Sequence, residues 1–261
     1  MAGAIDPRRR AEELGREIRV FRSVERLMPL AYELACREPR TAHGRLFRAE
    51  RLSAARGRHG RLWVAETGGL WLALTLYDDL LPATRGLFSL VFGIALGALA
   101  AKLDLPARVR WINDLHHQGR KIAGVLIQKR GEWLVVGIGI NVNNPPPSAF
   151  PAESLSRLNG GPLSLDEVLE RFLDHLRHYY GWLREIESRL HPYDSPEENL
   201  LIREFRRFSD TPGRCVAWAP DLDHTPEPFI GLAERILPDG SLLLRGAETR
   251  VVSSGEIIYL F

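Results

Sequence analysis

Residues 119–142 read GRKIAGVLIQKRGEWLVVGIGINV, and they give the strongest indication of the fold class. Two runs rich in Val, Ile and Leu, residues 123–129 and 133–142, flank the polar residues 130–132. Apolar runs of this length on either side of a short, glycine-containing connection predict two strands joined by a hairpin. The chain therefore contains a β-sheet, and the neighbouring segments indicate what packs on it.

Helices are predicted on both sides of this hairpin. Residues 86–101 form an uninterrupted apolar run that is shorter than the roughly 20 residues a bilayer requires, so we predict a buried core helix. Ser164 precedes Glu167 by three residues, which is typical of a helix N-cap and predicts a long helix through Leu190. Further helices are predicted at residues 11–19 and 24–37, and further strands at residues 70–77 and 109–112; between residues 41 and 61 the helical pattern breaks into glycine and arginine.

After about Phe208 the sequence pattern changes to that of short strands separated by turns. Asp239-Gly240 is a hairpin turn signal within this region. About fifty residues of this kind predict a small β-barrel rather than a second enzyme. We expect a large domain over residues 1–208 and the barrel over residues 209–261. The strands are predicted at residues 214–219, 229–236, 241–245 and 257–261.

Composition excludes several classes of protein. With 261 residues, 45% of them hydrophobic and 26% charged, the chain can bury a sizeable core, which excludes a disordered or fibrous protein. The net charge of +2 is too small to predict general attraction to nucleic acid or to membrane surfaces. Two cysteines, Cys36 and Cys215, argue against a disulfide framework or a cysteine-built zinc site. Residues 1–10 lack the apolar run of a secretory signal, so we expect a cytosolic protein.

The first candidate site is an arginine-rich loop. Within residues 43–61, residues 56–61 read RGRHGR and alternate guanidinium groups with glycines. Backbone amides and cationic side chains of such a loop can both approach an anion, so a phosphate or a carboxylate is the natural ligand. A solvated arginine loop is the alternative, and nucleic-acid contact is weaker because interleaved aromatic residues are nearly absent.

The second and third candidate sites lie on the predicted strands. Asn113 and Asp114 end one strand and Lys121, one of only three lysines, enters the next, so a carboxylate and an ammonium can meet at one point. A surface ion pair between Asp114 and Lys121 is the simpler interpretation. Gly137 and Gly139 alternate with large apolar residues before Asn141, which indicates either a ligand or a tightly packed helix against that strand.

The order and combination of these motifs resemble the biotin protein ligases, from Phe21 to the C-terminus. The motifs are residues 56–61 with Trp63, then GLWL at 69–72, WIND at 111–114, GRKIAG at 119–124 and VGIGIN at 136–141. The resemblance implies an α+β fold, with helices packed on a mixed sheet and an SH3-like barrel after it. It also implies a two-step reaction: biotin and ATP give biotinyl-5′-adenylate and pyrophosphate, and a lysine of a biotin carboxyl carrier domain then takes the biotinyl group.

The resemblance further implies roles for individual residues. Two anions, a carboxylate and a phosphate, need fixed positive charge to meet, and the arginine loop and Lys121 supply it. Mg²⁺ is expected to bridge the phosphates with few protein ligands. The implied catalytic residues are Lys121, Arg58 and Asp114; the implied biotin-binding residues are Ser23, Ser53, Arg56, Arg58, Lys121, Gly124 and Gly137; and the implied ATP-binding residues are Arg58, Arg61, Trp63, Asn113, Asp114, Lys121 and Asn141.

Departures from the family pattern concentrate on the biotin side. Where the family usually has Ser-Thr-Asn, this sequence has Ser23-Val24-Glu25. Where the family usually has a glutamine and a glycine before the arginine loop, this sequence has Ser53 and Ala55. A buried ureido ring loses about 1–3 kcal/mol for each polar group left unpaired. On the nucleotide side, the usual Lys-Trp-Pro-Asn-Asp is RWIND at residues 110–114, so two of its five residues differ. Two alternatives therefore stay open: a relative that activates lipoate or a fatty acid, and a non-catalytic ligand-binding relative.

Partners are the last expectation. Only 20 residues precede Phe21, so we expect no winged-helix region and no DNA partner, and we expect no membrane partner. Members of the family pair through sheet edges, and residues 133–142 are a candidate edge for a homodimer. The expected acceptor is the carrier of an acyl carboxylase.

Overall fold

A computed structural model describes residues 7–146, 150–191 and 194–260. The N-terminal segment 1–10 and the predicted strand 257–261 extend in part beyond these residues. Within them the elements are α1 (Pro7–Glu12), β1 (Ile18–Val24), α2 (Leu27–Arg37), β2 (Leu46–Leu52), β3 (Leu70–Tyr77), α3 (Arg85–Lys102), β4 (Arg108–Arg110), β5 (Asp114–His117), β6 (Arg120–Arg130), β7 (Trp133–Ile140), α4 (Leu155–Asn159), α5 (Leu165–Arg189), α6 (Leu200–Phe208), β8 (Cys215–Ala219), β9 (Phe229–Ile236), β10 (Leu242–Gly246), β11 (Thr249–Val252) and β12 (Glu256–Tyr259).

The strands form two sheets. The first has the order β1-β2-β3-β7-β6-β5-β4, and the second has the order β11-β10-β9-β8-β12. In the first sheet β1 and β2 are parallel and the other neighbours are antiparallel. The predicted α+β fold with a mixed sheet and packed helices is therefore confirmed.

The core of the protein lies between the first sheet and α3. Leucines 70, 72, 74 and 76 of β3 point to the same apolar cluster as the even-numbered residues 134–140 of β7. Helix α3 is buried along most of its length, and α5 packs against it. Residues 82–102 are long and apolar enough to cross a membrane, but 78% of that apolar window is buried inside the protein. The predicted core helix is confirmed.

Two local predictions are also confirmed. Arg130 of β6 pairs with Trp133 of β7, which leaves Gly131 and Glu132 in the hairpin turn. Gly131 has a φ of 58°, a conformation that favours glycine. Ser164 caps α5, because its side chain accepts a hydrogen bond from the backbone N–H of Glu167.

The N-terminal predictions are partly wrong. The helix predicted at residues 11–19 ends at Glu12, since Gly15 has a φ of 70° and Ile18 already pairs with Leu46. The helix predicted at residues 24–37 begins only at Leu27, because Val24 still belongs to β1. Strand β2 was not predicted, because its arginines and Glu50 hide the strand pattern. Strand β5 and helices α4 and α6 were also not predicted.

The expected dimer edge is wrong as well. Strand β7, in the region 133–142, lies between β3 and β6, so its backbone is paired on both sides. The outer strands of the first sheet are β1 and β4. The short strand predicted at residues 109–112 is β4 and ends at Arg110.

The second sheet follows the predicted strand pattern, with β11 as an unpredicted addition. Asp239 and Gly240 lie in the connection between the antiparallel strands β9 and β10. Val216, Ile236 and Leu242 belong to the same apolar cluster as the first sheet and α3, so the two sheets share one core. Cys36 and Cys215 are free thiols.

The mostly buried His43, whose side chain is 16% exposed, makes stability depend on pH. Burial, together with the nearby Arg10 guanidinium, lowers the pKa of His43 to about 4. Its Nδ1 accepts a hydrogen bond from the backbone N–H of Tyr77 at 3.1 Å, which requires the neutral ring. Between pH 6.5 and pH 4 the His43 imidazole is protonated in the unfolded chain but neutral in the folded chain. The stability is therefore present above pH 6.5 and is lost as the pH falls toward 4.

We expect His43 to lower the free energy of unfolding by about 2 kcal/mol between pH 7 and pH 5. Urea unfolding of wild type and His43→Asn at both pH values measures this loss, because the asparagine Oδ1 takes the position of the histidine Nδ1 and accepts the Tyr77 hydrogen bond without titrating. His191→Asn, at an exposed position, is the control and keeps the wild-type slope. An unchanged pH slope in His43→Asn would contradict this assignment.

Candidate active site

On one face of the first sheet, the two central strands β6 and β7 carry three glycines close together. Gly124 of β6 lies directly opposite Gly139 of β7, and Gly137 of β7 lies opposite Ala73 of β3. These residues point away from the core beneath α3, because neighbouring residues of a strand face opposite sides. We call Gly124, Gly137 and Gly139 the glycine floor. Their bare backbone lets other groups lie directly on the sheet.

An ion pair lies at one end of the glycine floor. Lys121 Nζ is 2.7 Å from Asp114 Oδ2, and the two side chains are 38% and 31% exposed. A Cβ atom added at Gly124 would lie 2.7 Å from Lys121 Nζ and 3.0 Å from Asp114 Oδ1. The pair therefore rests directly on the Gly124 backbone, and a side chain at this position would displace the ammonium. The prediction that Asp114 and Lys121 meet at one point is confirmed, and their direct contact is also what the simpler ion-pair interpretation predicts.

Two side chains from distant segments cover the rest of the floor. The Trp63 indole rests on Gly139, 3.0 Å from where a Cβ would be, and Lys121 Nζ lies 5.5 Å from the centre of the Trp63 ring. Met28 of α2 lies on Gly137 in the same way. The buried Trp63 Nε1 has no hydrogen-bond partner among the described residues. The sequence analysis did not identify Met28, since no local motif marks it.

Asn113 and Asn141 are both buried beside this region. Asn113 lies in the turn between β4 and β5, where its Cα packs close to Gly93 of α3. Asn141 Nδ2 donates a hydrogen bond to the Glu153 carbonyl at 3.1 Å. Glu153 in turn donates its backbone N–H to the Lys121 carbonyl. Asn141 therefore helps to order the chain next to Lys121, and its predicted ATP contact stays a prediction.

The arginine loop is attached to the second sheet. Arg58 Nη1 donates to the Gly255 carbonyl at 2.8 Å, and Arg56 Nη1 donates within the loop to the Gly60 carbonyl at 3.3 Å. Arg61 pairs with three carboxylates, those of Asp221, Asp223 and Glu256. Sequence reasoning missed these acidic partners, because they lie about 160 to 195 residues further along the chain and no local motif marks them. The predicted phosphate and biotin contacts of Arg56, Arg58 and Arg61 stay predictions.

The cluster around Arg61 also brings together three groups that could hold a metal ion. Ligand atoms of His59, Asp221 and Glu256 lie within 4.8 Å of one another. Both carboxylates already pair with the Arg61 guanidinium, at 3.2 Å and 2.5 Å. Their charge is therefore compensated by the protein itself.

The positions that depart from the family pattern meet in space. Ser23 and Glu25 are exposed at the end of β1. Hydrogen bonds of 3.1 Å from Ser53 N to Val24 O and from Ala54 N to Glu25 O join this segment to the one after β2. The buried Ala55 belongs to the same apolar cluster as Trp63. The predicted contacts of Ser23 and Ser53 with biotin stay predictions.

Known proteins are similar to this chain in sequence and in fold. Residues 25–143 match the model of the biotin/lipoate A/B protein ligase family. The biotin–[acetyl-CoA-carboxylase] ligase of Mycobacterium tuberculosis is 30% identical over 221 residues, which cover 81% of this chain and 77% of that protein. The enzyme of the same name from Paracoccus denitrificans is 28% identical, over 79% of this chain and 86% of that protein.

A solved structure extends the likeness to three dimensions. The biotin protein ligase of Aquifex aeolicus, in complex with biotin and ATP, superposes with a TM-score of 0.77 and 22% identity, covering 93% of this chain and 98% of that one. At this identity the superposition shows a shared fold. The identity to the M. tuberculosis enzyme extends over more than three quarters of both proteins. The chain therefore belongs to the biotin protein ligase family.

Proposed function

We propose that this protein is an ATP-dependent ligase that activates biotin as biotinyl-5′-AMP and transfers it to a lysine of a biotin carboxyl carrier domain. The observation that carries this proposal is the Lys121–Asp114 pair at the end of the glycine floor. The names of the M. tuberculosis and P. denitrificans relatives support the same reaction and the same class of acceptor.

Lys121 supplies the positive charge at the reacting atoms. In the first step a biotin carboxylate oxygen attacks the α-phosphorus of ATP, and pyrophosphate leaves. In the second step the amine of the carrier lysine attacks the acyl carbon, AMP leaves and the amine loses a proton. The compact ammonium of Lys121, resting on Gly124, faces both anions of the first step and offsets their repulsion.

Asp114 has the chemistry to hold Mg²⁺. Its Oδ2 pairs with Lys121, whereas Oδ1 accepts no hydrogen bond among the described residues. Mg²⁺ commonly binds proteins through one or two carboxylates together with substrate phosphates, so this half-buried carboxylate fits such an ion. When bound, the ion neutralises charge on the phosphates and on the leaving pyrophosphate.

The arginine loop and Trp63 line the ATP side in this proposal. The Arg61 side chain is 40% exposed and its partners are anions, so phosphates can take the place of these carboxylates. The buried Trp63 Nε1 has no hydrogen-bond partner among the described residues, so a ligand that moves the indole off Gly139 gains this donor. Arg56, Ser23, Ser53 and Gly137 take the biotin side, and Arg58 contacts both ligands. Asn113 and Asn141 border the nucleotide.

Domain division, location and assembly complete the proposal. Residues 1–208 form the catalytic domain and residues 209–261 an SH3-like barrel, which five consecutive antiparallel strands support. The enzyme acts in the cytosol, where its free cysteines stay reduced. A homodimer would pair through an outer strand, β1 or β4, and not through β7.

Pyrophosphate release tests the substrate. The purified protein receives ATP and Mg²⁺ with biotin, lipoate or octanoate supplied separately, and we expect release with biotin alone. A response to lipoate or octanoate alone would instead assign another carboxylic acid, which the altered residues Glu25 and Ser53 favour. If folded protein that binds ATP releases no pyrophosphate with any of the three acids, the enzymatic function is contradicted.

Replacing Lys121 by alanine tests the charge argument. We expect Lys121→Ala to lower the rate of biotinyl-adenylate formation by at least about 100-fold, because the anionic transition state loses its fixed ammonium. Single-turnover assays with radiolabelled ATP measure this rate. Lys102→Ala, at an exposed lysine at the end of α3, is the control and keeps the wild-type rate. A wild-type rate in Lys121→Ala would overturn the role given to Lys121.

Replacing Gly124 by alanine tests the position of that ammonium. The new methyl group overlaps the far end of the Lys121 side chain, which can move, so the fold tolerates the change while the ammonium is displaced. We expect adenylate formation to fall about 10- to 100-fold with less than about 1 kcal/mol change in unfolding free energy. Gly161→Ala, where a methyl group meets nothing within 4 Å, is the matched control. Full activity of Gly124→Ala would show that the ion pair does not need the glycine.

A further inference from the structure

A chain of hydrogen bonds connects the segment that carries Asp114 to the start of the second sheet. The segment runs from Trp111 to Gly119 and includes Asn113 and Asp114. Its two end residues, Trp111 and Gly119, each use the backbone N–H to donate a hydrogen bond to a side chain, Thr211 Oγ1 and His116 Nδ1. Both paths end on one carboxylate oxygen, Asp210 Oδ1.

The first path passes through two hydroxyl groups. Trp111 N donates to Thr211 Oγ1 at 2.9 Å, Thr211 Oγ1 lies 2.7 Å from the Tyr259 hydroxyl, and that hydroxyl donates to Asp210 Oδ1 at 2.8 Å. Because the Tyr259 proton points to Asp210, the Thr211 hydroxyl is the donor to Tyr259. Every donor on this path therefore points toward the carboxylate.

The second path passes through an imidazole ring. Gly119 N donates to His116 Nδ1 at 3.3 Å, so the other ring nitrogen carries the proton. His116 Nε2 then donates to Asp210 Oδ1 at 3.1 Å. Burial alone would raise the pKa of Asp210, but hydrogen bonds from His116 and Tyr259 hold it below its usual value. The acceptor at the junction is thus a carboxylate, which strengthens both bonds.

The network reaches both members of the ion pair. Asp114 lies in the segment between the two anchored amides, and His116 is the direct partner of Lys121 in the ladder between β5 and β6. The Trp111 indole adds a further anchor, since its Nε1 donates to the Gly240 carbonyl at 3.1 Å. A shift of this segment would move the carboxylate and the lysine-bearing strand relative to each other.

We propose that Asp210, His116, Thr211 and Tyr259 are positioning residues that hold Asp114 and Lys121 in the geometry required for adenylate formation. This inference rests on the proposed function. Asp210 and Thr211, which precede the second sheet, would then affect the reaction without contacting either substrate. Attachment of the second sheet does not depend on these bonds, because Val216, Ile236 and Leu242 hold it in the common core.

Two substitutions of Asp210 separate positioning from general stability. Asp210→Ala removes the shared acceptor, whereas Asp210→Asn keeps an oxygen for both donors. We expect Asp210→Ala to lower the kcat of biotin-dependent adenylate formation about 10- to 100-fold, with KM values for ATP and biotin within about threefold. Asp210→Asn should stay within about threefold of the wild-type kcat. Equal kcat in Asp210→Ala and wild type, or an equal loss in both variants, would overturn the proposal.

A second pair of variants, with smaller changes, tests the proposal even if Asp210→Ala does not fold. Tyr259→Phe removes one hydroxyl from the network and keeps the ring, and it should lower kcat about 3- to 10-fold at unchanged KM. Tyr179→Phe is the matched control, because its hydroxyl donates to Glu204 instead, and it should keep the wild-type kcat. Equal kcat in both tyrosine variants would overturn the proposal.

Amide hydrogen exchange of the free protein separates this inference from the proposed function. The peptide spanning residues 111–119 should exchange faster in Tyr259→Phe than in wild type, and should be unchanged in Tyr179→Phe. Unaltered exchange in Tyr259→Phe would overturn the positioning network. A wild-type protein that forms no biotinyl-adenylate but shows this exchange difference would contradict the proposed function and leave the network in place.

Discussion

The alternation of side chains along β7 is the constraint on which the site depends. Leu134, Val136, Ile138 and Ile140 face α3 and carry the core, while Gly137 and Gly139 leave the opposite face bare. A glycine in a strand weakens it, because it loses more backbone freedom on folding and packs no side chain. The loss is offset on the other face, where large apolar side chains of β3 and β7 lie buried. One strand can therefore be both part of the core and the floor of a site.

The parts of the fold that followed from sequence are those specified locally. Helix α3, the turn at Gly131 and the cap of α5 by Ser164 each depend on residues close together in the chain, and all three are confirmed. Strands β1 and β2 were missed because their stability comes from pairing with each other and with β3, while their exposed arginines resemble a loop. The edge assigned to residues 133–142 failed for the same reason, since strand order is a property of the whole sheet.

The candidate site divides in the same way. The meeting of Asp114 and Lys121 was predictable because a short hairpin joins them, and the register of β5 on β6 sets their distance. Met28 lies more than 100 residues from Gly137 in sequence, and the carboxylates around Arg61 lie more than 100 residues from Arg61. No spacing in the sequence therefore predicts these contacts. The altered positions Glu25 and Ser53 were found by departure from a pattern, but only the structure shows that their segments are hydrogen-bonded neighbours.

The chain after Phe208 contacts the site in two ways that differ in whether a ligand can replace the contact. Arg61 pairs with the carboxylates of Asp221, Asp223 and Glu256, and exchanging one of them for a ligand phosphate leaves the guanidinium paired with an anion. The part-buried bonds around Asp210 join groups of the protein that no substrate replaces, and a buried polar group left without its partner costs about 1–3 kcal/mol. A site that must admit two anions and still keep Lys121 beside Asp114 is served by this division, because contacts of the arginine loop can be exchanged for a ligand while those of the segment 111–119 stay in place.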